Sequence, residues 1–188
     1  MRASQQAYSG GSETARNLLA AAMAGEKLIV LEEASNRTDV VFCNVVEGQW
    51  TKDAANKQPV YIVLIDFTDF SHVMGDSPAL AAFNVGWGVL HEIDHVVHAS
   101  TDLAQDGEAG ECEDIINKMR RECGLAERAE YFFTYLPGSN TSDHMTRFVR
   151  IAFDERTPKK NKKKRYWLVW DAALVGGLEE RKQVVARK

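Results

Sequence analysis

Residues Gly88 to His98 read GVLHEIDHVVH, and both the fold and the chemistry expected of the chain follow from how that stretch is read. Val89, Ile93, Val96 and Val97 recur at helical spacing, which leaves His91 and His95 one turn apart on a shared face. Two imidazoles so placed can hold one metal ion. Glu92 then lies beside that ion rather than on it. Two neutral histidines, a third ligand from elsewhere and a free carboxylate that takes a proton from water are what a metal-dependent hydrolase needs. Burying two imidazoles and a carboxylate on an otherwise apolar helix is costly unless a partner satisfies them, and a metal ion would.

The helix carrying this stretch should begin at Asp76, Ser77 and Pro78, where Asp76 or Ser77 caps and Pro78 sits in the first turn with no N–H to lose. It should run to about His98. Phe83, Leu90 and Val97 occupy one side and Val85, Val89, Ile93 and Val96 another, so the helix is apolar around most of its girth and is expected to be buried. Gly86 and Gly88 flank Trp87, each costing about 1 kcal/mol relative to alanine in a helix interior. They predict either a close backbone contact or a break into two helices.

A buried helix needs cover, and the chain supplies strands for it. Leu28–Leu31 (LIVL), Val40–Val46 (VVFCNVV) and Val60–Phe67 (VYIVLIDF) are rich in branched residues, and the last is apolar on both faces. An amphipathic helix capped by Ser12 and stopped at Gly25 precedes them. Glu111–Cys123 is a further helix ended by Gly124, and Tyr131–Leu136 is a strand before the Pro137–Gly138 turn. A helix is expected from about Asp143 to Phe153, burying Met145, Phe148, Val149 and Ala152, and a last strand at Tyr166–Trp170. The fold class expected is α+β: a small mixed or antiparallel sheet packed on the buried histidine helix, with further helices, in a single domain over residues 1–188.

Composition excludes several alternatives. With 45% hydrophobic and 27% charged residues the chain is that of an ordinary globular protein, and its net charge of −4 favours no partner by itself. Three cysteines without a C-x-x-C pattern indicate neither a disulfide framework nor a zinc ribbon, and point to a reducing, cytoplasmic setting. Leu18–Ala24 ends in a leader-like triplet, but its short apolar run follows Glu13 and reads better as an amphipathic helix. No stretch approaches the length needed to span a membrane. Lys159–Arg165 (KKNKKKR) is the one basic run; in a net acidic chain it reads as a solvated loop rather than a nucleic-acid contact.

In His91, Glu92 and His95 the chain resembles the zincin metallopeptidases, matching their H-E-x-x-H signature residue for residue. The resemblance implies a zinc ion, a peptide or protein substrate, and Glu92 as the catalytic base. Asp94 departs from the pattern, whose two intervening residues are usually uncharged; it is placed to hydrogen-bond a neighbour or to mark a site adapted away from proteolysis. His98 extends the face by another turn, but on an unbroken helix it stands about 10 Å along the axis from His91, too far to share the ion. The metzincin variant of the family places its third histidine after a glycine turn, and residues 98–101 (HAST) contain neither.

The gluzincin variant, with a glutamate on a following helix as third ligand, is the better match. Glu113 in GECED is the first candidate, followed by Glu111 and then Asp114, with Asn117 one turn beyond Glu113 to orient a ligand. The stretch Asn117–Tyr131 (NKMRRECGLAERAEY) is similar to short zincin-like domains of bacterial toxins and effectors. The sequence therefore predicts a zinc-dependent hydrolase, with His91, His95 and Glu113 on the metal. The alternative is a non-catalytic zincin-like module that keeps the metal for structure and binds a protein or polyanionic partner.

Overall fold

A computed structural model describes residues 11–35, 37–48, 58–102, 110–130, 132–136, 148–157 and 162–176. The strand Val60–Ile65 (β3) sits at the centre of a three-stranded sheet, parallel to Leu28–Glu33 (β1) and antiparallel to Cys43–Gly48 (β2). Its consecutive residues Val63, Leu64 and Ile65 are all buried, as a strand covered on both faces requires. The helix Glu13–Ala24 (α1) precedes this sheet, with the Ser12 hydroxyl accepting from the Ala15 N–H and Gly25 ending it.

After β3 the chain enters a short helix, Phe67–Ser71 (α2), whose first turn is capped by the buried Asp66 carboxylate. The two-residue strand Met74–Gly75 (β4) leads into Ser77–Ala82 (α3) and Val85–His98 (α4). Of the two outcomes expected at Gly86 and Gly88, the break into two helices occurs, but it falls earlier, at Phe83–Asn84, where Asn84 Oδ1 accepts from the Gly86 and Trp87 N–H groups and starts α4 afresh. The glycine beyond that cap answers to a close approach as well: a Cβ on Gly88 would lie 2.8 Å from Cys43 Sγ and 3.1 Å from Phe70 Cζ. α4 packs between β2 and β3 on one side and α1 and Glu111–Glu122 (α5) on the other. Leu18, Ile93, Cys112, Ile116 and Met119 close that core. Burying side chains of this size contributes roughly 1.5–3 kcal/mol each.

The second sheet is built on a hairpin of two ten-residue strands, Phe148–Thr157 (β7) and Lys162–Asp171 (β8). β4 flanks β8, while Glu127–Arg128 (β5) and Thr134–Tyr135 (β6) both pair with β7. The helix expected over Asp143–Phe153 is therefore corrected to strand from Phe148 onward; its first residues lie outside those described. Phe148, Val149 and Ala152 satisfy helical spacing, but Val149, Ile151 and Phe153 also alternate, and cross-strand partners Trp170, Leu168 and Tyr166 bury that alternating face. Lys162–Arg165, from the basic run, belong to β8 rather than to a loop. The fold is α+β with one mixed and one antiparallel sheet. Among the described residues no helix is long and apolar enough to cross a membrane.

Candidate metal centre

α4 brings His91 and His95 together with their rings 4.8 Å apart, as the four-residue spacing requires. A carboxylate joins them, and it comes from Asp102. Its Oδ1 lies 2.8 Å from His91 Nε2 and 3.0 Å from His95 Nε2. The turn that returns the chain is made at Ala99, the C-cap of α4, which adopts φ 54° and ψ 30°, the left-handed conformation glycine ordinarily supplies. Sequence reasoning missed Asp102 for this reason. Finding neither a glycine nor a histidine after the helix, it looked to a glutamate on the next helix, whereas alanine takes the turn and an aspartate follows it.

Ligand atoms of His91, His95, Asp102 and Cys112 all lie within 4.8 Å of one another, and this cluster could hold a metal ion. The donors suit one. His95 Nδ1 donates to the Ser100 carbonyl at 2.9 Å, which fixes the ring with its Nε2 directed at the cluster. The Ser100 loop is itself tied back to α4, because Ser100 Oγ donates to Asp94 Oδ2 at 2.5 Å and His98 Nδ1 meets Asp94 Oδ1 at 2.7 Å. Asp94, fully buried, thus secures the turn that follows the helix. His98 is half exposed and stands outside the cluster. Cys112 donates its thiol proton to the His91 carbonyl at 3.4 Å, and burial keeps that thiol protonated.

Glu113, the expected third ligand, is not in the cluster. It is buried and held by two guanidiniums: Arg120 binds Oε1, and Arg128 reaches Oε2 at 3.0 Å. Burial opposes its ionisation, yet Arg128 and Arg120 hold its carboxyl below the usual carboxylate range. From there Oε2 stands 3.8 Å from His91 Nδ1 and faces that ring from behind. Asn117 completes the assembly, accepting from Arg120 at 2.9 Å and bonding the Arg128 backbone N–H and C=O. Three residues of NKMRRECGLAERAEY therefore form a buried ionic knot behind the histidines. Glu111 and Asp114 are exposed in the first turn of α5, where the helix dipole favours them, and neither enters the cluster.

Charge within the cluster is shared. Burial opposes ionisation of Asp102, but hydrogen bonds from His91 and His95 outweigh it and hold its carboxyl well below the ordinary range. The same contact to Asp102 raises His95 to about 9. Glu92, buried on the adjacent face, is raised by desolvation, with His91 and His95 pulling the other way. His91, Glu92, His95 and Asp102 all line one cavity of about 570 Å³, which Val41–Val45, leading into β2, also line. Asp94 and Cys112 do not line it. An oxyanion would need a further donor: of the side chains YFFTYL and the following segment offer, Tyr131 and His144 fall outside the described residues, and Tyr135 packs against the β7–β8 core.

Comparison with known proteins yields no relative: no protein-family model, no curated protein and no solved structure matches this chain.

Proposed function

We propose that the protein is a zinc-dependent hydrolase of the zincin type, acting on peptide bonds, with His91, His95 and Asp102 as metal ligands and Glu92 as general base. The observation that carries this reading is the opening of two imidazoles, a carboxylate and a separate buried glutamate onto one cavity. Two histidines and one carboxylate suit zinc at a catalytic site, where three protein ligands leave a position for water or substrate. When bound, the ion supplies Lewis acidity and lowers the pKa of a coordinated water.

The chain's own residues supply the rest. Ser100 orients His95, and the Asp94 carboxylate fixes Ser100. Glu113, clamped by its two arginines, stands 3.8 Å behind His91 Nδ1 as part of a fixed wall. Glu92 shares the cavity without touching the ligand set's far side, and desolvation raises its proton affinity. That suits a group that takes a proton from the attacking water and returns it to the leaving amine. β2 is an edge strand of its sheet and its first residues line the cavity, so an extended peptide could pair along it beside the reacting groups.

A second reading has one observation in its favour: Cys112 lies within the cluster, and four protein ligands would make a closed, structural centre. The two readings separate on Glu92→Gln. The hydrolase keeps one metal per chain and loses about 100-fold or more of its peptide-cleaving rate, as removal of a general base does. A structural module is unaffected by that substitution, and wild-type protein without any peptide-cleaving activity on a broad peptide library overturns the hydrolase.

A further inference from the structure

Alternation along β8 puts Lys163, Arg165, Trp167 and Val169 on one face of the β7–β8 hairpin and Lys164, Tyr166, Leu168 and Trp170 on the other. Tyr166, Leu168 and Trp170 pack with Val149, Ile151 and Phe153 in the core, and Ile151 and Trp170 reach the cavity of the histidine site. The first set faces the other way. None of the apolar clusters among the described residues includes Trp167, Val169 or Met74. Strand register extends this outer face sideways: Met74 of β4 and Arg150 of β7 flank Val169, and Thr134 of β6 lies beyond Arg150. The basic run expected as a solvated loop thus supplies, from Lys162 on, one end of an ordered sheet face.

Arg150 is the unusual member of that face. Its guanidinium lies over Trp167, 4.1 Å from the ring centroid, and among the described residues it has no ion pair or hydrogen bond, its buried Nε included. Polar groups in such positions are ordinarily matched within the fold, so this arginine is left for an anion from outside. Arg165 approaches the same ring at 5.7 Å. Its own partners are Glu130 and Asp154, and the Asp154 side chain is only 8% exposed beneath it. Lys163 is 64% exposed, with a long 3.8 Å contact to Asp154. Pairs of this kind at a wet surface contribute little and give way to a stronger anion. Lys163, Arg165 and Arg150 therefore run along the hairpin as a row of cations around one indole.

We propose that this outer face docks single-stranded nucleic acid, with Arg150, Arg165 and Lys163 on the phosphates and the Arg150–Trp167 stack as the platform for a base. An unpaired strand is the occupant that fits, because it brings a line of negative charge and open base faces together. A duplex keeps its bases stacked away, and an acidic peptide has nothing flat to lay on the Arg150–Trp167 stack beside Val169 and Met74, the last 58% exposed. The face lies across the sheet from the cavity, so the proposal neither rests on the hydrolase reading nor alters it.

Fluorescence anisotropy of a labelled oligothymidylate of about twelve nucleotides, titrated with the full-length chain, tests this. Three phosphate contacts give a log–log salt slope of about −2, so affinity falls roughly twentyfold between about 50 and about 200 mM salt. Arg150→Ala weakens binding severalfold and brings the slope to about −1.4. Trp167→Leu weakens it about tenfold and removes the wild-type preference for oligothymidylate over an abasic oligomer of the same length. Lys163→Glu, at an exposed position, also weakens it and carries the test if the other two variants fail to fold. No binding at about 50 mM salt, or binding that the folded variants leave unchanged, overturns the proposal. So does equal or tighter binding of the matching duplex, which would mean that the backbone alone is read, or of polyglutamate, which would make the occupant an acidic protein.

Discussion

Asp102→Ala and Glu113→Gln exchange consequences depending on which carboxylate holds the metal. Asp102 Oδ1 touches both imidazole Nε2 atoms, at 2.8 and 3.0 Å, whereas both oxygens of Glu113 are engaged by arginines. A four-ligand zinc site binds with about 10–16 kcal/mol, so each ligand is worth on the order of 3 kcal/mol. Asp102→Ala should therefore weaken zinc about 100-fold or more. Its effect on the metal-free fold is small, since Asp102 is 39% exposed and solvent screens its contacts. Glu113→Gln does the reverse. It leaves Arg120 buried without its anion, a change that costs about 3–5 kcal/mol in comparable buried pairs. Zinc affinity should fall only about 10–100-fold, as for a lost group behind a ligand. Competition against a chromogenic chelator gives the affinities, and thermal melting of metal-free protein gives the stabilities. Unchanged zinc affinity in Asp102→Ala, together with loss of zinc in a stably folded Glu113→Gln, would refute the assignment of the third ligand.

Three further outcomes follow from the same contacts. Metal binding must displace the proton that Asp102 holds on His95 near 9, so zinc affinity should rise by up to about tenfold per pH unit from neutrality toward pH 9 and level off above it; isothermal titration in buffers of differing protonation enthalpy reads the released proton, and a pH-independent affinity would count against His95 as ligand. Gly88→Ala should cost about 1–3 kcal/mol by overpacking, because its methyl meets Cys43 Sγ and Phe70, and urea denaturation measures it. Hydrogen bonds from Ser12 and Thr14 hold the Glu122 carboxyl down at about 2, so the tie between α1 and α5 stabilises the fold above the unfolded carboxylate range of about 4.3 and is lost as pH falls toward 2. Glu122→Gln should lower the melting temperature at pH 6 and match wild type near pH 2; an equal deficit at both would contradict that tie.

The sequence made the centre of the molecule legible because local and tertiary demands agree there. GVLHEIDHVVH has the periodicity of a buried helix and forms one, and VYIVLIDF is apolar on both faces and occupies the middle of its sheet. Where two periods fit the same residues the sequence misled, as at Val149, Ile151 and Phe153, whose face is decided by pairing with β8, about twenty residues downstream. The third member of the cluster was hidden by a backbone choice. Ala99 adopts a conformation associated with glycine at the turn from which Asp102 returns to the histidines. Glu113 illustrates the converse: a carboxylate at a plausible distance downstream is directed by the arginines it meets, Arg120 from its own helix and Arg128 from β5. Phe42, read within a strand over Val40–Val46, instead precedes β2 at φ 65°, with its N–H held by the Asp69 carboxylate from α2.

X-ray absorption at the zinc edge of protein loaded with one equivalent of zinc tests the central assignment most directly. Ligation by His91, His95 and Asp102 gives nitrogen and oxygen scatterers at about 2.0–2.2 Å and no sulfur. A sulfur shell at about 2.3 Å would place Cys112 on the metal and close the site, and protein that takes up no zinc would remove the metal centre altogether.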